Sequence, residues 1–191
     1  AARTIVVGFG LTLAMGLLTA KLQAANGMWT NPAGGNWNAS GNWSGGIPQS
    51  MGDMADFSTI DLAGATSVSL DIPATVGNMK FNDTGADPDS GYTISGINTL
   101  TFDDSDTEAT VDVTRGHHEI ATAIQITDTV RFNITSDSDT SLHLSGKISG
   151  SGALKNSNNP SGRLILSNSA NDFTGGMTAY NGHGGVEARA S

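Results

Sequence analysis

From Asn26 onward the apolar residues recur at every second position in short runs and never at helical spacing. The runs are Val68/Leu70, Met79/Phe81, Tyr92/Ile94, Leu100/Phe102, Val111/Val113, Ile124/Ile126, Val130/Phe132/Ile134, Leu142/Leu144 and Leu164/Leu166, each bounded by Gly, Asn, Asp or Ser. A period of two means one buried and one solvated face, so each run predicts a short β-strand.

Their spacing then selects the architecture. The pair Leu142/Leu144 recurs as Leu164/Leu166 and again as Val186/Ala188, and Met79/Phe81 is matched by Leu100/Phe102 at a similar interval. A repeat of about 22 residues that holds strands and no helix is what a β-solenoid coil requires, because each turn must return one strand spacing above the last. The chain therefore predicts an all-β parallel β-helix of about seven coils, roughly 35 Å long at the usual strand spacing. A β-sandwich is the alternative, since it also uses short strands but does not require equal steps between similar ones.

The turn residues agree with coils. Gly146, Gly150, Gly152 and Gly175-Gly176 fall where a coil must change direction, which predicts positive φ there. Runs such as Asn156 to Ser161 and Ser167 to Asn171 are turn formers whose side chains bond local backbone.

The first 25 residues differ in kind. Ile5 to Leu18 is apolar apart from Gly8, Gly10, Thr12 and Gly16, with Arg3 before it and Lys21 after it, and this reads as a secretory signal peptide. The run is shorter than the roughly 20 apolar residues a spanning helix needs. Cleavage is expected after Ala24 or after Ala25, which puts Leu22 or Gln23 at the −3 position. The domain reading is thus a signal peptide at 1–25, a Trp-rich N-terminal cap at 26–62, and β-helix coils at 63–191 that stop in mid-repeat.

Three stretches resemble a known family. Leu144-Ser-Gly-Lys-Ile-Ser-Gly-Ser-Gly-Ala-Leu-Lys155, Gly162-Arg-Leu-Ile-Leu-Ser-Asn168 and Asn171-Asp-Phe-Thr-Gly-Gly-Met-Thr178, followed by Gly182, resemble the autotransporter-associated β-strand repeat. Gly116-His-His-Glu-Ile-Ala-Thr-Ala-Ile-Gln-Ile126 is similar to the coil that precedes that repeat, and Trp29 to Phe57 to its Trp-rich opening segment. Asn158-Asn159-Pro160 departs from the family's Gly-rich turn, and neither a membrane barrel nor a sorting signal follows before Ser191. The resemblance implies a right-handed parallel β-helix in a surface-displayed or secreted bacterial protein, the passenger of an autotransporter or part of a large wall-sorted protein.

Composition and charge narrow the partners. With Arg3 and Lys21 set aside as leader, seven bases face 18 acids, a net charge of −11, so nucleic acid is an unsuitable partner. No Cys is present, so stability rests on ladders and stacked side chains. Only 37% of residues are hydrophobic, which suits a thin core spread along a rod.

Four constellations carry candidate chemistry. Trp29, Trp37 and Trp43 read as a plug for the first coil, with a sugar-stacking platform as the alternative. Asp103, Asp104, Asp106 and Glu108, with Asp87/Asp89 and Asp137/Asp139, are turn carboxylates of the type calcium takes, but no EF-hand or calcium β-roll motif is completed. His117, His118 and Glu119 are metal-ligand types, of which one His at most can share a strand face with Glu119. Ser, His and Asp are plentiful but show no nucleophile-elbow spacing. No catalytic, cofactor or metal residue is therefore assigned. The expected function is a non-catalytic structural or adhesive segment at the cell surface, outer membrane or outside the cell. Its expected partners are surface glycans or other surface proteins, with no membrane insertion of the mature part. The alternatives are a carbohydrate-binding module or part of a solenoid polysaccharide-active enzyme.

Overall fold

A computed structural model describes residues 24–83, 90–105, 107–135, 139–157, 162–179 and 186–188. Residues 1–23 of the signal peptide expected at 1–25, the turn at 158–161, and Asp87, Asp89, Asp106, Asp137 and Gly182 lie outside the described residues.

The strands come in coil order. The first coil holds β1 (Asn26–Trp29), β2 (Gly35–Asn36), a 3-10 turn at Ser40–Asn42 and β3 (Trp43–Ser44). The second holds β4 (Met54–Phe57), β5 (Ala65–Ser69) and β6 (Ala74–Val76). The third holds β7 (Asn78–Phe81), β8 (Gly91–Ser95) and β9 (Thr99–Phe102), and the fourth β10 (Ala109–Val113), β11 (Gly116–Ile120) and β12 (Ala123–Ile126). β13 (Val130–Ile134), β14 (Thr140–Leu144) and β15 (Ile148–Gly150) make the fifth. β16 (Leu154–Asn156) and β17 (Arg163–Leu166) make the sixth, and β18 (Met177–Ala179) and β19 (Val186–Ala188) begin another.

Like strands stack on like. One sheet is β1, β4, β7, β10, β13, β16 and β18, with β3 added at its end, the second is β2, β5, β8, β11, β14, β17 and β19, and the third is β6, β9, β12 and β15. Every ladder between coils is parallel, and among the described strands only β1 with β3 runs antiparallel. The protein is a parallel β-solenoid of about six turns, not a sandwich.

The core is a set of columns, because side chains at equivalent coil positions sit directly over one another. Val68, Ile94, Ile120, Leu144 and Leu166 form one column in the second sheet. Ala74, Leu100, Ile124 and Ile148 form another in the third, and Phe57, Phe81, Val113 and Ile134 a third column in the first sheet. All of these are buried and belong to one continuous hydrophobic cluster. The alternate positions form polar ladders outside, such as Ser157 Oγ donating to Asn133 Oδ1 at 2.6 Å while Asn133 Nδ2 donates to Asp112 Oδ1 at 2.7 Å.

The two repeat alignments read from the sequence fare differently in the structure. The step of 22 residues holds for Leu142, Leu164 and Val186, which are register partners in β14, β17 and β19. Met79 and Leu100 are not partners: Met79 pairs with Ala55 and Val111 in the first sheet, whereas Leu100 pairs with Ala74 and Ile124 in the third. The coil between them is long, 32 residues from Asn78 to Thr110, so the true partner of Met79 comes later than a constant period suggests. The same parallel pairing joins β1 to β4 and β2 to β5.

The corner glycines divide into two kinds. Gly150 and Gly176 have φ of 117° and 78°, a conformation L side chains rarely adopt. Gly146, Gly152 and Gly175 lack positive φ and are required for another reason: a Cβ on Gly146 would stand 1.7 Å from the Thr122 carbonyl oxygen of the preceding coil.

Candidate functional site

The three tryptophans sit inside the first coil. Trp29 and Trp37 are fully buried and Trp43 is 7% exposed. Trp43 meets Trp29 and Trp37 edge to face, each at 5.0 Å between centroids, and all three rest on Phe57. Each indole N–H is satisfied by a backbone carbonyl, Trp29 by Asn31, Trp37 by Pro48 and Trp43 by Trp37. No ring face is left for a sugar, which overturns the stacking-platform alternative.

The turn carboxylates are tied into the coil corners. Asp128 accepts the Asp104 N–H at 3.1 Å, and Asp103 Oδ1 accepts the Ser105 N–H at 3.3 Å. Glu108 takes ion pairs from Arg131 and Lys155 on the two following coils, and these hydrogen bonds hold its carboxyl below the usual range. Among the described residues no group of three or more His, Asp or Glu side chains is placed to hold a metal ion.

His117, His118 and Glu119 separate as alternation requires. His118 points into the core, 2% exposed, stacked on Phe81 with centroids 4.8 Å apart. Its Nδ1 accepts the Tyr92 N–H at 3.1 Å, which leaves Nε2 to donate to the Arg115 carbonyl at 2.9 Å, so the ring is the neutral Nε2–H tautomer. Burial pushes its pKa down to about 4, although the Arg115 carbonyl and the Asp83 charge act the other way. Burial, with Asp83, drives the Tyr92 phenol well above the usual tyrosine range.

His117 and Glu119 face outward, and the partner of Glu119 is not His117. Ser145 Oγ donates to Glu119 Oε1 at 2.5 Å, His143 Nδ1 stands 3.6 Å from that oxygen, and His143 Nε2 lies 2.7 Å from Ser167 Oγ. His117 Nδ1 lies 2.8 Å from Ser141 Oγ in the neighbouring column. Glu119, His143 and Ser167 are each 24 residues apart, so one residue per coil builds this line, and no local motif could have revealed it. The carboxylate to imidazole gap is longer than a hydrogen bond and about a third of each side chain is exposed on the sheet face, so the line is a polar ladder rather than a charge relay.

A buried acid completes the set. Asp53 is 3% exposed, and its Oδ2 accepts the N–H groups of Gln49 and Ser50, both at 3.0 Å. Its Oδ1 accepts the Ala25 N–H at 2.7 Å. In the sequence Asp53 stood out only as part of the Trp29 to Phe57 opening segment.

Fold and surface together define a repeat protein: a parallel β-helix with a continuous apolar interior and outward ladders of Ser, Thr, Asn, His and Glu. Comparison with known protein families, with curated proteins and with solved structures gives no match. Among the described residues no helix is long and apolar enough to cross a membrane.

Proposed function

We propose that the chain is a non-catalytic structural or adhesive segment of an exported bacterial protein, held at the cell surface or released, and built like the passenger of an autotransporter. The observation that carries this is the unbroken register of the coils. Each coil rests mainly on its two neighbours, so stability adds along the axis and length can be extended by repetition. Such a rod projects and spaces what it is attached to. The polar ladders of the outer faces, including Glu119, His143 and Ser167, are the surface it offers to glycans or other surface proteins. The apolar, Arg3- and Lys21-flanked leader supports export, and the quoted Gly/Ser and Leu-x-Leu stretches support the autotransporter-like reading.

The test is expression of the full chain in a Gram-negative host with fractionation and surface proteolysis. Recovery of a processed, protease-accessible protein outside the inner membrane supports the proposal, and retention of the intact chain in the cytoplasm contradicts it. Adhesion of the purified protein to glycan arrays and to whole cells separates an adhesive role from a spacer.

A further inference from the structure

A buried carboxylate is stable only when its charge is met by strong donors or a cation. Asp53 is held by three backbone N–H groups, from Ala25, Gln49 and Ser50, and among the described residues no Lys, Arg or His side chain forms an ion pair with it. The shortest of those three contacts is to Ala25 N, at 2.7 Å. Ala25 is also where the ladder begins, since its carbonyl accepts the Met54 N–H at 2.8 Å, while Ala24 before it is exposed. The sequence leaves two cleavage positions open, after Ala24 or after Ala25. They differ in one atom that matters here: the first keeps Ala25 N as a new α-amine, and the second discards it.

We propose that the leader is removed between Ala24 and Ala25 and that the α-ammonium so formed is the counter-ion of Asp53. This rests on the export reading above. In the cleavage a leader peptidase adds water across the Ala24–Ala25 peptide bond. The hydroxyl goes to the Ala24 carbonyl carbon and a proton to Ala25 N, and the amine takes a second proton from solvent at neutral pH. The neutral N–H donor at 2.7 Å then becomes a charged one, and charge-assisted bonds are the stronger kind. Processing thus locks the first coil, because Asp53 also joins that N-terminus to the loop at Gln49 and Ser50 and, through its own carbonyl, to the Gly77 and Asn78 N–H groups of the next coil.

The experiment is intact-mass and N-terminal sequencing of the chain after export, followed by thermal unfolding. A first residue of Ala25 is expected. A first residue of Asn26, Ala24 or any other position overturns the inference while leaving export intact, and an unprocessed chain that stays inside the cell refutes the export reading itself. The processed protein is then transaminated at its N-terminus, which turns the α-amine into a carbonyl and spares lysines. The expected result is a Tm lower by roughly 3 °C or more at neutral pH. The loss should shrink as pH rises past the α-amine range, because pairing raises that pKa and its stabilisation is lost as the amine deprotonates. An Asp53→Asn variant should show no such change on transamination. Equal effects in both proteins, or none in the parent, overturn the pairing, and the sequencing result decides the cleavage position even where Asp53→Asn does not fold.

Discussion

Phe57 and Phe81, one coil apart and register partners, stack face to face with ring centroids 5.4 Å apart and planes 11° from parallel. The pair joins the aromatic packing of the first coil to the interior, because Phe57 carries all three tryptophans on one side and Phe81 carries His118 on the other. Phe81→Ala removes a fully buried ring from the middle of this column. A loss of about 3–5 kcal/mol is expected in urea unfolding. A loss under about 1 kcal/mol would mean that the column does not carry load across coils.

Trp43→Ala tests the fate of the tryptophans. With the ring 7% exposed and in contact with Trp29, Trp37 and Phe57, the expected result is a loss of about 3–5 kcal/mol. Fluorescence of the parent protein should be blue-shifted and unmoved by soluble oligosaccharides. Quenching by a glycan, with an unchanged Tm for Trp43→Ala, would restore the platform.

Gly146→Ala tests close packing at a coil corner. Its Cβ would meet the Thr122 carbonyl oxygen at 1.7 Å, so the two coils must separate there, at a cost of about 1–3 kcal/mol. Gly64→Ala, where a Cβ meets nothing within 4 Å, is the control and should be neutral or slightly stabilising. Equal effects at the two sites would contradict the stacking distance at the corner.

His118 sets a pH dependence. Asp83, Tyr92, His117 and the Arg115 carbonyl surround it, and burial outweighs the attraction of Asp83, so the folded state favours the neutral ring. The unfolded chain binds a proton near the ordinary 6.5 and the folded one only near 4. Stability from this group is therefore present above pH 6.5 and is lost as pH falls towards 4, up to about 3 kcal/mol. His118→Leu, which continues the column of Leu142 and Leu164, should flatten the acid limb of a Tm-against-pH plot relative to the parent. Parallel acid limbs in the two proteins would contradict the assignment.

Much of this solenoid could be read from the sequence where coils have constant length. Leu142, Leu164 and Val186 recur without insertion, so counting alone aligned them. Met79 and Leu100 show the limit: two strands of one coil can share the same apolar spacing, and a period of two does not say which sheet a strand joins. Strands as short as Ala74–Val76 or Ile148–Gly150 carry too little pattern to be seen at all. The outward ladder of Glu119, His143 and Ser167, and the contact of Ala25 with Asp53, depend on register across 24 and 28 residues and on nothing local.

The central claim is parallel stacking in register, and the absence of native cysteine makes a crosslink decisive. Ser141 and Arg163 are register partners on adjacent strands, so their Cα atoms should lie about 4.8 Å apart, within reach of a disulfide. The double variant Ser141→Cys with Arg163→Cys is expected to oxidise to an intramolecular disulfide, read as a two-hydrogen mass loss and protection from maleimide. Two free thiols that both react with maleimide in the folded protein would contradict the stack.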